Sequence, residues 1–438
     1  MNALALREWP SRPDLSRLQA SKPGRYPGLF VSSGDSGWDV LFAFPREVAR
    51  FGPGDLDALR AHPAMRLTPG SSPDDGPTLP FAGGWLCALS YELGGQFESS
   101  AGSVPDEAAY PQAWLTRIPA AILIERSTAR CVLVAEAGQA GLLDAMAADL
   151  GATALPLPEL PRLDVLEEDA PHVFMEGVAR IQSYIRAGDV FQVNLSRGWR
   201  GEFAAPVPPA ALFDALMRKN PAPFSALLQV DDWSIVSSSP ERLVRLGRDG
   251  WLETRPIAGT HPRSEDAAED AALRARLAAH PKEQAEHVML VDLERNDLGR
   301  VCEPGSVEVA ALMEIASYRH VHHIESSVRG RVRPGTRIFD ALRAVFPGGT
   351  ITGCPKVRTM QIIRELEAVP RRSYTGSVGY INLDGSFDFN ILIRSFLLRG
   401  RELSFRAGAG IVADSVAERE LAETRAKARG LLRALNAA

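Results

Sequence analysis

Phe174-Met-Glu-Gly-Val178-Ala-Arg-Ile181-Gln-Ser-Tyr-Ile185-Arg-Ala-Gly188-Asp-Val190-Phe-Gln-Val-Asn-Leu-Ser-Arg-Gly-Trp199 changes its period halfway along. Phe174, Val178, Ile181 and Ile185 recur at helical spacing, and Gly188 supplies the stop. Val190–Trp199 then reads as a strand. Downstream, a helix is expected over Pro209–Asn220. Strands near Phe224–Val230, Trp233–Ser238 and Trp251–Thr254 follow closely enough to suit antiparallel pairing. Helices are expected over 265–279, 282–295 and Val357–Leu366. Strands at Ser377–Ile381, Phe387–Ile393 and Ser404–Ala407 precede a last helix from 416 to 435. Strand runs interspersed with helices favour an α+β fold over a doubly wound sheet.

Upstream, residues 151–171 hold four prolines and little periodicity, which marks a linker or an extended crossing segment. It divides an N-terminal β-rich region, 1–150, expected to pack on the core, from the region 172–438. In the former, Gly28–Val31 and Trp38–Phe44 read as strands. Ala120–Ile124 and Arg130–Val134 read as a hairpin, and Arg66–Gly84 as a loop. With 45% hydrophobic and 24% charged residues, the 438-residue chain has the composition of a soluble globular protein. A net charge of −5 without a basic stripe gives no sign of a nucleic-acid partner. No apolar stretch approaches bilayer length, and Met1–Trp9 lacks the pattern of a signal peptide. Cys87, Cys131, Cys302 and Cys354 form no CxxC pair, so they read as packing thiols in a reducing cytoplasm.

Chemistry first shows in Glu283-Gln-Ala-Glu286-His-Val-Met-Leu-Val-Asp-Leu-Glu-Arg-Asn296-Asp297, where two carboxylates lie one helical turn apart. Glu420 and Glu423 form a second such pair. Residues at i and i+3 share a helix face, so each pair offers two oxygen ligands to a hard cation. Mg²⁺ takes few carboxylates and completes its shell with water or substrate oxygens. The alternative reading of either pair alone is a solvated helix face. Gly348-Gly349-Thr350-Ile-Thr-Gly353 leads into a helix and could cradle an anion with backbone N–H groups. Ala407-Gly408-Ala409-Gly410 follows a strand. Neither matches a nucleotide-binding fingerprint. Arg394 lies in an apolar strand and needs a partner, either a substrate carboxylate or a structural acid. Among His320, His322 and His323, one histidine working as a proton donor is the economical reading.

Taken in order, these motifs resemble the chorismate-utilising enzymes: component I of anthranilate and aminodeoxychorismate synthases, and the isochorismate and salicylate synthases. The matching segments, from about residue 170 onward, are Gly188–Ser196, Ser239–Arg242, Thr254–Thr260, Ala285–Asp297, Phe346–Arg358, Gly376–Tyr380 and Gly408–Asp414. The resemblance implies a two-layer antiparallel β-sandwich wrapped by helices, with chorismate and Mg²⁺ in a central cleft. It assigns Glu286 and Glu423 to the metal, with Glu283 and Glu420 beside them. Tyr374, Arg394, Gly408, Gly410 and Lys427 would hold the two carboxylates of the substrate, and Gly259, Thr260 and Thr350 would line its ring. Glu241 resembles the acid/base carboxylate and His323 the histidine near the leaving 4-hydroxyl. A dianion calls for a metal, Arg and Lys, and loss of hydroxide for a proton donor.

Gln192 stands where the isochorismate and salicylate synthases carry a lysine that activates water. Glutamine cannot act as that base, so ammonia is the expected nucleophile. Phe191-Gln-Val-Asn-Leu-Ser196, Asn220-Pro-Ala-Pro-Phe-Ser225 and Phe346-Pro-Gly-Gly-Thr350 are similar to aminodeoxychorismate synthases. Val31-Ser32-Ser33 replaces the Leu-Glu-Ser usual at the tryptophan-feedback site of anthranilate synthases. Ala258 points the other way, because many aminodeoxychorismate synthases have a lysine there. The expectation is an aminodeoxychorismate synthase component I, feeding p-aminobenzoate and folate synthesis. Its ammonia would come from a separate glutamine amidotransferase subunit, since no glutaminase motif is visible. The rivals are anthranilate synthase component I and a chorismate-binding regulatory subunit without catalysis.

Overall fold

A computed structural model of the chain describes residues 4–69, 79–152, 155–264, 266–317 and 321–436. Among them, two antiparallel sheets of twelve and ten strands form the core. The opening stretch folds as read: helix Pro171–Arg186 ends before Gly188, whose φ of 81° is the left-handed stop, and strand Gln192–Phe203 follows. That strand pairs with Glu402–Ile411 along its length and sits near one end of the twelve-stranded sheet. The hairpin Ala120–Glu125 with Cys131–Ala135 is present.

The N-terminal region supplies strands to both sheets. Gly28–Val31 pairs with Phe224–Val230 in the larger sheet, and Gly84–Leu89 pairs with Ser377–Asn382 in the smaller. The whole of strand Leu163–Glu168 lies within 151–171 and pairs on the flank of Gln192–Phe203.

Apolar side chains of both sheets meet between them, among them Phe42, Leu86, Leu228, Ile235 and Val378. Helices cover the outer faces. Pro209–Lys219 and Ala417–Ala434 bury Leu212, Phe213 and Leu431 against the larger sheet. Ile338–Val345 and Pro281–Gly299 bury Phe339, Leu342 and Val291 against the smaller. Complete removal of side chains such as Phe213 and Phe389 from water is worth about 1.5–3 kcal/mol each. No helix of the described residues is long and apolar enough to cross a membrane.

Two local expectations are corrected. Phe387–Ile393 is not one strand: Phe387–Asn390 belongs to the smaller sheet and Ser395–Arg399 to the larger. Residues 391–394 cross between the layers, and Arg394 makes the corner with φ of 52°. An apolar run buried between two sheets carries no period that would betray such a corner. Likewise, Gly408 and Gly410 do not follow a strand but lie within Glu402–Ile411, opposite Ser196 and Asn194.

Candidate active site

Glu241 follows Ser239-Pro240 where strand Trp233–Ser239 of the larger sheet gives way to Arg242–Leu246 of the smaller. Its side chain is 5% exposed. The Thr350 hydroxyl donates to its Oε1 at 2.8 Å. Burial pushes the carboxyl up to about 8, with the nearby Glu294 and Glu325 adding to the rise and the Thr350 bond opposing it. A carboxyl raised that far keeps its proton at neutral pH, the state a general acid needs. Arg394 faces it from the interlayer corner, and burial lowers the guanidinium's hold on its own proton. No carboxylate of the described residues lies within ion-pair distance of Arg394. A cation so placed suits an anionic ligand.

His323 sits on strand Val321–Arg331, directly across from Thr260. It is buried, and its Nδ1 lies 3.3 Å from the Gly259 carbonyl. A carbonyl only accepts, so Nδ1 carries the hydrogen. Burial, aided by Arg394, lowers its pKa to about 4. The ring is therefore neutral at pH 7, with its hydrogen on Nδ1. Gly259 itself lies at a bulge with φ of 67°, and a Cβ there would stand 2.9 Å from Glu283 Oε2. The side chain of Thr260, like the whole of His320, lies outside the described residues. His322 is engaged elsewhere, between Asp270 at 3.0 Å and Ser317 at 2.8 Å.

Strand glycines open space beside Tyr374 and Gln192. A Cβ on Gly408 would approach the Tyr374 hydroxyl to 2.8 Å, and one on Gly410 would collide with the Gln192 amide. Tyr374 and Gln192 are both buried. Arg371 lies over the Tyr374 ring at 5.5 Å and is itself locked by the buried Glu367 at 2.6 Å. Lys427 reaches from helix Ala417–Ala434 to the Gly408 carbonyl at 3.0 Å and pairs with Glu423 at 2.8 Å.

The carboxylate pairs lie where their spacing placed them, Glu283 with Glu286 on Pro281–Gly299 and Glu420 with Glu423 on Ala417–Ala434. Their oxygen-only donors suit a hard cation such as Mg²⁺, which needs one or two carboxylates besides water and substrate oxygens. Among the described residues no three His, Cys, Asp or Glu side chains gather to hold an ion by themselves. A metal here would depend on oxygens from the substrate. Lys356 is taken by Asp297 at 2.5 Å, so it serves structure beside the site. The Gly348–Gly353 loop forms a short 3-10 turn, Gly349–Ile351, and aims Thr350 at Glu241.

The chain matches the family model of chorismate-binding enzymes over residues 44–433. It belongs to that family. It is 40% identical to an anthranilate synthase component 1 of Haloarcula marismortui over 94% of this chain and 87% of that one. Similarity to the aminodeoxychorismate synthase component 1 of Bacillus subtilis is 48% over 60% of this chain and 55% of that one. The crystal structure of anthranilate synthase component I from Streptococcus pneumoniae superposes with a TM-score of 0.78 at 31% identity, over 91% of this chain and 93% of that one. The N-terminal strands thus belong to the same enzyme fold as the motif-bearing region.

A further cavity of about 1030 Å³ opens between the sheets and holds none of Glu241, His323 or Arg394. It is lined by Val31, Ser32, Phe224, Tyr380 and the bidentate pair Arg242–Asp388, both bonds 2.9 Å. Sequence reasoning allowed for Lys356 pairing with a neighbouring acid, as it does with Asp297, but missed Glu294 and the Arg371–Glu367 lock. Each is a charge in a helix or loop whose burial only the fold reveals.

Proposed function

We propose that this chorismate-binding enzyme aminates chorismate as a component I subunit, with 4-amino-4-deoxychorismate as its product. The observation that carries the reading is the buried Glu241 carboxyl, hydrogen-bonded by Thr350 and facing Arg394 where the chain passes between the two sheets. Amination needs departure of a hydroxyl, and a carboxylic acid can supply its proton. Arg394 and Lys427 supply charge for a dicarboxylate. Mg²⁺, held by Glu286 and Glu423 with Glu283 and Glu420 beside them, would neutralise the ring carboxylate and orient it. Tyr374, Gly408 and Gly410 would contact the substrate carboxylates, with Gly259, Thr260 and Thr350 along the ring and His323 near the 4-hydroxyl.

Gln192 supports ammonia over water as the nucleophile, because an amide is no base. The motifs Asn220–Ser225 and Phe346–Thr350, and Val31–Ser33 in place of Leu-Glu-Ser, support the 4-amino product. A second reading, anthranilate synthase component I, is favoured by Ala258 and by the names of several relatives. In either reading a glutamine amidotransferase partner delivers the ammonia. Incubating the chain with chorismate, Mg²⁺ and ammonium decides between them. A 4-amino product without pyruvate supports the proposal, and anthranilate formed without an added lyase defeats it.

A further inference from the structure

Behind Glu241 lies a chain of buried charges that the proposed chemistry leaves unused. Glu294 sits about two turns beyond Glu286 on helix Pro281–Gly299 and is 6% exposed. Its Oε1 is 3.5 Å from where a Cβ on Gly349 would stand, and the Thr254 hydroxyl and the Gly349 N–H both favour its ionised form. The next residue, Thr350, sends its hydroxyl to Glu241 Oε1 at 2.8 Å. Asp297, on the following turn of the helix, binds Lys356 Nζ at 2.5 Å, and Lys356 also donates to the Val345 carbonyl at 3.1 Å. The single ammonium is thereby committed to Asp297. Glu294 and Glu241 are left on either side of one short turn, with Arg394 and Glu325 the other charged groups facing Glu241. Buried carboxylates outnumbering their cations cannot all be charged together.

We propose that Glu294 is a positioning residue for the acid/base carboxylate: gripping the Gly349–Thr350 turn from behind, it aims the Thr350 hydroxyl at Glu241 and sets the charge that Glu241 can carry. A hydroxyl donating to Oε1 leaves Oε2 as the oxygen that holds the proton. Burial raises the proton affinity of Glu294, with Asp297 adding to it and Lys356 opposing it. Whenever Glu294 is ionised, its charge makes ionisation of Glu241 harder.

This inference rests on Glu241 acting as acid, so Glu241→Gln is measured alongside, with consumption of chorismate as the readout whichever product forms. Glu294→Gln should lower kcat by about 10-fold to 100-fold, leave KM for chorismate within about threefold, and move the descending limb of kcat about one unit toward acid. Thr350→Val should show a similar loss, and the double variant little more, because both act through one bond. Glu294→Asp keeps the charge but withdraws from Gly349, so kcat should fall with the limb in place. Should Glu294→Gln not fold, Glu294→Asp decides alone. Wild-type kcat and pH profile in a folded Glu294 variant, a loss confined to thermal stability, or full additivity with Thr350→Val overturns the inference. Wild-type turnover in Glu241→Gln instead brings down the acid/base reading itself, whatever Glu294 does.

Discussion

The carboxylates at Glu241 and Glu294 differ from those at Glu283, Glu286 and Glu423 in their housing, not their chemistry. The first two are sealed between sheet, turn and helix, with a hydroxyl and a backbone N–H as their close partners. The second group lies on helix faces open at least in part to solvent, and Glu423 has the Lys427 ammonium at 2.8 Å. Removing water favours the neutral acid, whereas solvent and a neighbouring cation favour the anion. One protein can therefore hold a proton on one carboxyl and offer others as anionic ligands. Glu420, on the same helix as Glu423 yet buried, stands between the two cases.

The sharpest way to break this contrast is to neutralise the sealed carboxylate. Glu241→Gln should lower kcat by about 1,000-fold with little change in KM, read from initial rates of chorismate consumption. A loss confined to KM would make Glu241 a binding group. Removing the metal comes next: chelation should abolish turnover, and Mg²⁺ should restore it. Glu286→Gln should raise the Mg²⁺ concentration for half-maximal rate by about tenfold or more. Turnover undiminished by exhaustive chelation would leave the helix-face pairs as solvated surface.

A smaller effect concerns stability. Glu241 binds its proton more tightly folded than unfolded, so the stability it contributes is full below its unfolded value near 4.5 and is lost as pH rises through about 8. Glu241→Gln should therefore gain thermal stability relative to wild type at alkaline pH and not at acid pH, by calorimetry. A gain independent of pH would contradict the buried-acid assignment. Least affected should be the response to tryptophan. With Ser32 and the Arg242–Asp388 pair lining the cavity between the sheets, added tryptophan should leave the rate unchanged. Strong inhibition would favour the anthranilate reading.

Much of this was legible in the sequence because local rules govern it. The helix ending at Gly188, the hairpin at 120–135 and the i, i+3 spacing of Glu420 and Glu423 need no tertiary knowledge. The motifs alone marked Glu241, Thr350, His323 and Arg394 as candidates for one site. The corner at Arg394 stayed hidden because buried strands of different sheets look alike in a continuous apolar run. The opposite shifts of Glu241 and His323 were invisible for another reason: both arise from burial, which is a property of the packed molecule. Glu294 escaped notice as one charge in the helical segment Leu293-Glu294-Arg295, where an exposed position is the ordinary expectation.

The protonation state of Glu241 can be read directly. An infrared difference spectrum between wild type and Glu241→Gln at neutral pH should contain the carbonyl band of a protonated carboxyl, fading as pH rises through about 8. A difference spectrum showing only ionised carboxylate at neutral pH would contradict the account, because an anion at that position has no proton to give.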